Sequence, residues 1–133
     1  MEEYMKLFTK SQLKKLVENH KQQDGTKSFK AVVKLFNPTG QGTWFLSEYD
    51  PDQDIAFGLC HIFEKELGYV DILELKNYKG MFGLGIERDL HFDANKYTLE
   101  ECKEIEIYNV VKKSVQLNIE LIERRLNEKR INK

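Results

Sequence analysis

The sequence predicts an α+β fold: an antiparallel sheet of about four to five strands, an N-terminal helix, a short middle helix and a long C-terminal helix. Three observations lead to it. Successive runs alternate apolar and polar residues and are joined by short connections rich in Pro, Gly, Asn and Asp, which favours a meander over parallel βαβ units. Helix-capping signals stand at Thr9, Asp71 and Thr98. No Gly or Pro follows Thr98, so a helix accounts for the rest of the chain.

Each element follows from local chemistry. Thr9, followed by Ser11, Leu13, Leu16 and Val17, opens an amphipathic helix with Lys10, Lys14, Lys15 and Lys21 on its wet side. It fades between Gln22 and Gly25, where Asp24-Gly25 signals a turn. From Phe29 to Phe36 the odd positions Phe29, Ala31, Val33 and Leu35 point one way, which is strand periodicity. Asn37 to Gly42 is a loop, punctuated by Pro38 and two glycines. Thr43 to Tyr49 is a second strand, Asp50-Pro51-Asp52 turns the chain, and Ile55 to Phe63 is a third strand. After Gly68, Tyr69 to Ile72 reads as a strand while Asp71 to Leu75 reads as a short helix capped by Asp71 with Glu74 three residues on, and the helix is preferred. Gly80, Gly83 and Gly85 make a loop, and Ile86 to Phe92 alternates again.

The final helix, 99–130, spans roughly 45 Å at ~1.5 Å per residue, longer than a compact domain of this size is wide. It carries two apolar stripes: Tyr108, Val111, Val115, Ile119, Ile122 and Leu126 on one face, and Ile107, Val110, Leu117 and Leu121 on another. One stripe suits the sheet; the other needs the N-terminal helix or a second subunit, which points to a homodimer. A break near Lys112-Lys113-Ser114, giving two shorter helices, is the alternative. The domain organisation expected is a core over residues 1–97 and a helical extension over 98–133, packed on that core or on a second subunit.

Composition bounds the function classes. At 133 residues with 41% apolar content and 15 aromatics (8 Phe, 6 Tyr, 1 Trp), the chain is one domain in size and can build a core, which excludes wholesale disorder. No apolar run approaches ~20 residues and the first 30 lack a signal-peptide core, so a cytoplasmic protein without a membrane span is expected. Cys60 and Cys102 form no CxxC pairing, so neither a disulfide scaffold nor a zinc site is indicated. The net charge of −1 hides an uneven layout. Residues 1–34 carry eight Lys against four acids, 35–111 six bases against fifteen acids, and 112–133 seven bases against three. The acidic middle repels phosphate backbones, whereas the basic ends, with Lys10, Lys14, Lys15, Arg124, Arg125 and Arg130, suit nucleic acid. Such ends also pack beside an acidic centre, which is the plainer reading.

The sharpest chemical constellation is acidic. Glu48 and Asp50 share one side of a strand, and Glu87 and Asp89 repeat the spacing. Brought together, the two pairs suit a hard divalent cation and metal-assisted hydrolysis; apart, they are solvated strand faces paired with Arg88 or Lys. His91 shares a face with Glu87 and Asp89, His61 sits inside the apolar third strand, and His20 lies on a Lys-rich helix where exposure is expected. Cys60 reads as core. Gly80 to Gly85 lacks the GK[ST] and following helix of a phosphate loop, so it serves as a turn, and no cofactor motif stands in the chain. Trp44, Phe45, Tyr49, Phe57 and Tyr69 can line a groove, although strand aromatics are more often core.

Several blocks in order carry a family resemblance: Leu7-Phe8-Thr9-Lys10, Val33-Lys34-Leu35-Phe36-Asn37-Pro38, Thr43-Trp44-Phe45, Ser47-Glu48-Tyr49-Asp50 and Phe57-Gly58-Leu59. Glu64-Lys65-Glu66-Leu67-Gly68-Tyr69, Glu74-Leu75 and Ile86-Glu87-Arg88-Asp89-Leu90 continue it. Over residues 7–93 the chain resembles an uncharacterised bacterial family, domain of unknown function 2958, common on plasmids and integrative elements. Ile62 departs from the small residue expected there, and the helix after Thr98 lies outside the match. The resemblance implies no particular activity. It directs attention to Trp44, Glu48, Asp50, Glu66, Tyr69, Glu87, Arg88 and Asp89 as binding residues. The expected function is a small non-catalytic binding or accessory protein of a mobile genetic element that meets a protein partner through this acidic, aromatic surface. A divalent-metal hydrolase using Glu48, Asp50, Glu87 and Asp89, and a nucleic-acid-associated protein using the basic helices, are the alternatives.

Overall fold

The computed structural model describes residues 7–131, with side chains outside 106–111 and 131. The chain runs α1 (Lys10–Gln22), β1 (Val33–Phe36), β2 (Thr43–Asp50), β3 (Ile55–His61), β4 (Lys65–Asp71), α2 (Ile72–Asn77), β5 (Glu87–Arg88) and α3 (Leu99–Ile131), with a 3-10 turn at Met81–Gly83. The strands form one antiparallel sheet in the order β4-β3-β2-β1-β5. The α+β class, the meander and the three helices are as the sequence predicts. By contact density the chain divides into two compact units, Met1–Cys102 and Lys103–Lys133.

The caps act as their residue types dictate. Thr9 accepts from the Gln12 backbone N–H while the Gln12 side chain accepts from Thr9 N–H, so two orphan donors at the start of α1 are satisfied reciprocally. Asp71 accepts from Leu73 and Glu74 N–H and starts α2, and Thr98 with Glu101 forms a second capping box at α3. Around Tyr69 the preferred helix holds from Ile72, but the extended alternative holds as well: β4 runs from Lys65, earlier than the alternation marks, to Asp71, whose side chain then begins the helix. The alternating run 86–92 pairs only at Glu87–Arg88. The Asp89 carboxylate accepts from His91 N–H and turns the chain there.

The sheet buries both faces. On one, Leu7, Phe8 and Leu16 pack on Val33, Leu35, Trp44, Leu46 and Tyr49, with Ile72 from α2. On the other, Ala31, Phe45 and Leu59 pack with Leu99 and Cys102 from the start of α3. Within the second unit every residue from Lys112 to Arg130 is exposed, including Val115, Leu117, Ile119, Leu121, Ile122 and Leu126. The helix shows no break near Lys112-Lys113-Ser114. The side chains of Ile107, Tyr108, Val110 and Val111, which belong to the same stripes, lie outside the described residues. No helix among the described residues is long and apolar enough to cross a membrane.

Candidate functional site

The site begins with an irregularity in β2. Leu46 pairs with Gly58 but Glu48 pairs with Phe57, so Ser47 is an extra residue without an opposite number, a β-bulge. Up to Leu46 the strand is covered on one side by β1, whose pairing ends at Val33. Beyond that point its edge carbonyls need another donor, and α1 supplies it: the buried Asn19 amide donates to Ser47 O at 2.9 Å. The last turns of α1 therefore lie beside residues 47–50, with His20 and Gln23 a few positions on from Asn19.

Together they enclose a pocket of about 440 Å³ lined by His20, Gln23, Glu48, Asp50, Gln53, Ile55, Phe57 and Tyr69. The Glu48 residue is 6% exposed. One of its oxygens accepts from Gln23 Nε2 at 3.1 Å; the other has no hydrogen-bond partner among the described residues. Burial pushes its carboxyl above the ordinary glutamate value, opposed by the Gln23 hydrogen bond and by nearby His20. Gln23 is itself fixed, donating to Lys27 O at 2.8 Å and accepting from Gly25 N–H at 2.9 Å. His20 Nε2 lies 3.7 Å from Asp50 Oδ1, an ion pair when the imidazole is protonated. Phe57 and Tyr69, cross-strand partners, meet with ring centroids 5.2 Å apart and planes tilted by 57°, and form an aromatic wall. Tyr69 is 72% exposed and borders the mouth. The arrangement is a partly desolvated acidic cup with an aromatic side, which suits a cation.

Of the residues singled out in the sequence, Glu48, Asp50 and Tyr69 come together here. Trp44 does not: it is buried in the core, on the opposite face of β2. Glu66 stands on β4 opposite Cys60, where its charge adds to burial in pushing that thiol up to about 11. Glu87 and Arg88 line a separate groove of about 730 Å³ with Lys76, Lys79 and Leu90. Asp89 sits 3.4 Å from Lys34 Nζ. Glu48 and Asp50 stand on β2, whereas Glu87 on β5 and Asp89 just past it lie beyond β1, roughly 10 Å away across the sheet alone, and Glu87 lines a different cavity. They do not share one ion site, and among the described residues no group of three or more His, Cys, Asp or Glu is placed to hold a metal.

His20, Gln23, Gln53 and Ile55 are the lining residues that sequence reasoning did not single out. A signal existed for two of them: Asn19, His20 and Gln23 continue the buried Leu16 face of α1 in polar residues, and a polar stretch along a buried helix face marks a partner to be satisfied.

A buried acid in a cup is costly to the fold, so Glu48→Gln should stabilise the protein at neutral pH by about 1 kcal/mol, raising Tm by a few degrees. The sign follows from proton binding. Between the ordinary glutamate value and the raised one, the folded state holds a proton that the unfolded state has lost, so stability falls as pH rises through that window. The variant's advantage should vanish below about pH 4 and be complete above the raised value. Thermal melts across pH check this; a wild type as stable as the variant at pH 7 refutes it.

No curated protein and no solved structure matches the chain. A family model described as "Protein of unknown function (DUF2958)" matches residues 7–105, most of the chain. With that match the α1–β5 core, the pocket and the first turn of α3 all fall inside one family domain, and the chain belongs to the DUF2958 family.

Proposed function

We propose that this chain is a small binding protein whose acidic, aromatic pocket receives a cationic side chain, lysine or arginine, from a partner protein. The observation that carries the reading is the second Glu48 oxygen: a carboxylate 6% exposed, with an acceptor site unfilled among the described residues, facing a cavity wide enough for a side chain. A cation entering there donates a charge-assisted hydrogen bond to Glu48, and gains long-range attraction from Asp50 and the faces of Phe57 and Tyr69. The bound cation in turn relieves the penalty of burying the carboxylate. We place this activity in an accessory protein of a mobile genetic element, as the family resemblance implies.

Calorimetric titration with short lysine-rich, arginine-rich and acidic peptides tests it. Cationic peptides should bind the wild type, and Glu48→Gln and Tyr69→Ala should each weaken them about tenfold or more. Because Glu48→Gln is expected to be the more stable protein, its loss of binding cannot come from unfolding. Equal affinity for acidic and basic peptides, or affinity unchanged in Glu48→Gln, overturns the reading.

A further inference from the structure

The two edges of the sheet are built differently. One is β5, two residues long and ended at once by the Asp89 turn. The other is β4, seven residues from Lys65 to Asp71, paired to β3 at every position without a register shift. Edge strands expose a row of unpaired N–H and C=O groups, and natural sheets blunt them by brevity, charged side chains, proline, bulges or a covering element; on β4 the charges Lys65, Glu66 and Asp71 stand towards the two ends. The β5 edge is blunted by brevity. The β4 edge has neither proline nor bulge, and its middle carries Leu67, 48% exposed, and Tyr69, 72% exposed, on one face.

We propose that β4 is a dimerisation edge, paired antiparallel with β4 of a second copy about a twofold axis through Gly68. The sequence Lys65-Glu66-Leu67-Gly68-Tyr69-Val70-Asp71 is self-complementary in that register. Lys65 faces Asp71 of the partner subunit, Leu67 faces Tyr69 of the partner subunit, and Gly68 faces its own copy. The opposite-charge pair and the aliphatic–aromatic pair are of the kinds that stabilise a cross-strand interface, and Gly68 leaves the axis free of side chains. Glu66 opposite Val70 of the partner subunit is the one mismatched pair, and it falls on the other face, where Glu66 is exposed. An unrelated chain would have no reason to mirror this pattern, so the occupant is a second copy, and pairing joins two five-stranded sheets into one of ten. The inference is independent of the cation pocket, although Tyr69 borders both.

Sedimentation of the full chain at high micromolar concentration tests it, with disulfide trapping to fix the register. The wild type should be dimeric. Leu67→Lys, at an exposed position the monomer tolerates, should weaken the dimer by at least about tenfold, since the change enters twice across the axis. In a Cys60→Ser background, Gly68→Cys should cross-link to itself under oxidised glutathione; an added Cβ there meets nothing within 4 Å, so the variant keeps its fold. Glu66→Cys in the same background should stay reduced. A monomeric wild type overturns the proposal. So does a dimer that survives Leu67→Lys but is lost on Ile119→Lys with Ile122→Lys, which would assign it to α3, or a cross-link at 66 in place of 68.

Discussion

Replacing Gly58 with alanine should cost about 3 kcal/mol or more and bring the protein close to unfolding. Gly58 lies in β3 opposite Leu46, immediately before the bulge, where β2 bends onto its neighbour. A Cβ added there would strike the Phe45 carbonyl oxygen and come within 2.8 Å of Leu46 Cα. Both obstacles are backbone of a central strand and have no rotamer through which to retreat, so the sheet itself must move. Its cross-strand partner provides the control. Gly68→Ala introduces the same methyl one strand over, where nothing lies within 4 Å, and should be neutral or slightly stabilising through strand propensity. Urea unfolding of the two variants under identical conditions should separate them by several kcal/mol of the midpoint-derived stability. Equal stability would mean that β2 and β3 are not in this close contact at the bulge.

Asn19→Ala is expected to cost about 2 kcal/mol, and to do so while weakening cation binding. Asn19 is 2% exposed, and its amide gives the Ser47 carbonyl a hydrogen bond at 2.9 Å. Alanine leaves that carbonyl buried and unpaired, and opens a small void beside Leu16. His20 and Gln23 follow on the same helix, so loosening its end frees two of the pocket's walls. Paired denaturation and peptide titration check both halves. A loss of stability within about half a kcal/mol would show that water replaces the amide without penalty.

How far the molecule was legible follows from where its determinants lie in the chain. Thr9 with Gln12, Asp71 with Glu74 and Thr98 with Glu101 are local patterns acting on backbone a few residues away, so they locate helix starts from sequence alone. β4 was harder, because Lys65, Glu66 and Gly68 are poor strand formers and an edge strand need not be apolar on either face. The pairing of Glu48 with Asp50 on one side was readable from their spacing. Their separation from Trp44 was not, because strict alternation from Thr43 to Asp50 places Trp44 and Glu48 on one face, and only the extra residue at 47 divides them. His20 and Gln23 meet the strand across more than twenty intervening residues, which no local pattern encodes.

Ser47 has a consequence for how this domain can diverge. As a surplus residue it shifts the alternation by one position, so that Trp44, Leu46 and Tyr49 share one face and Phe45, Glu48 and Asp50 the other. A descendant lacking residue 47 would keep its whole hydrophobic layer yet lose the off-ladder carbonyl that tethers the end of α1. Architecture and recognition are thus written in different amino acids, and drift could erase the second while sparing the first.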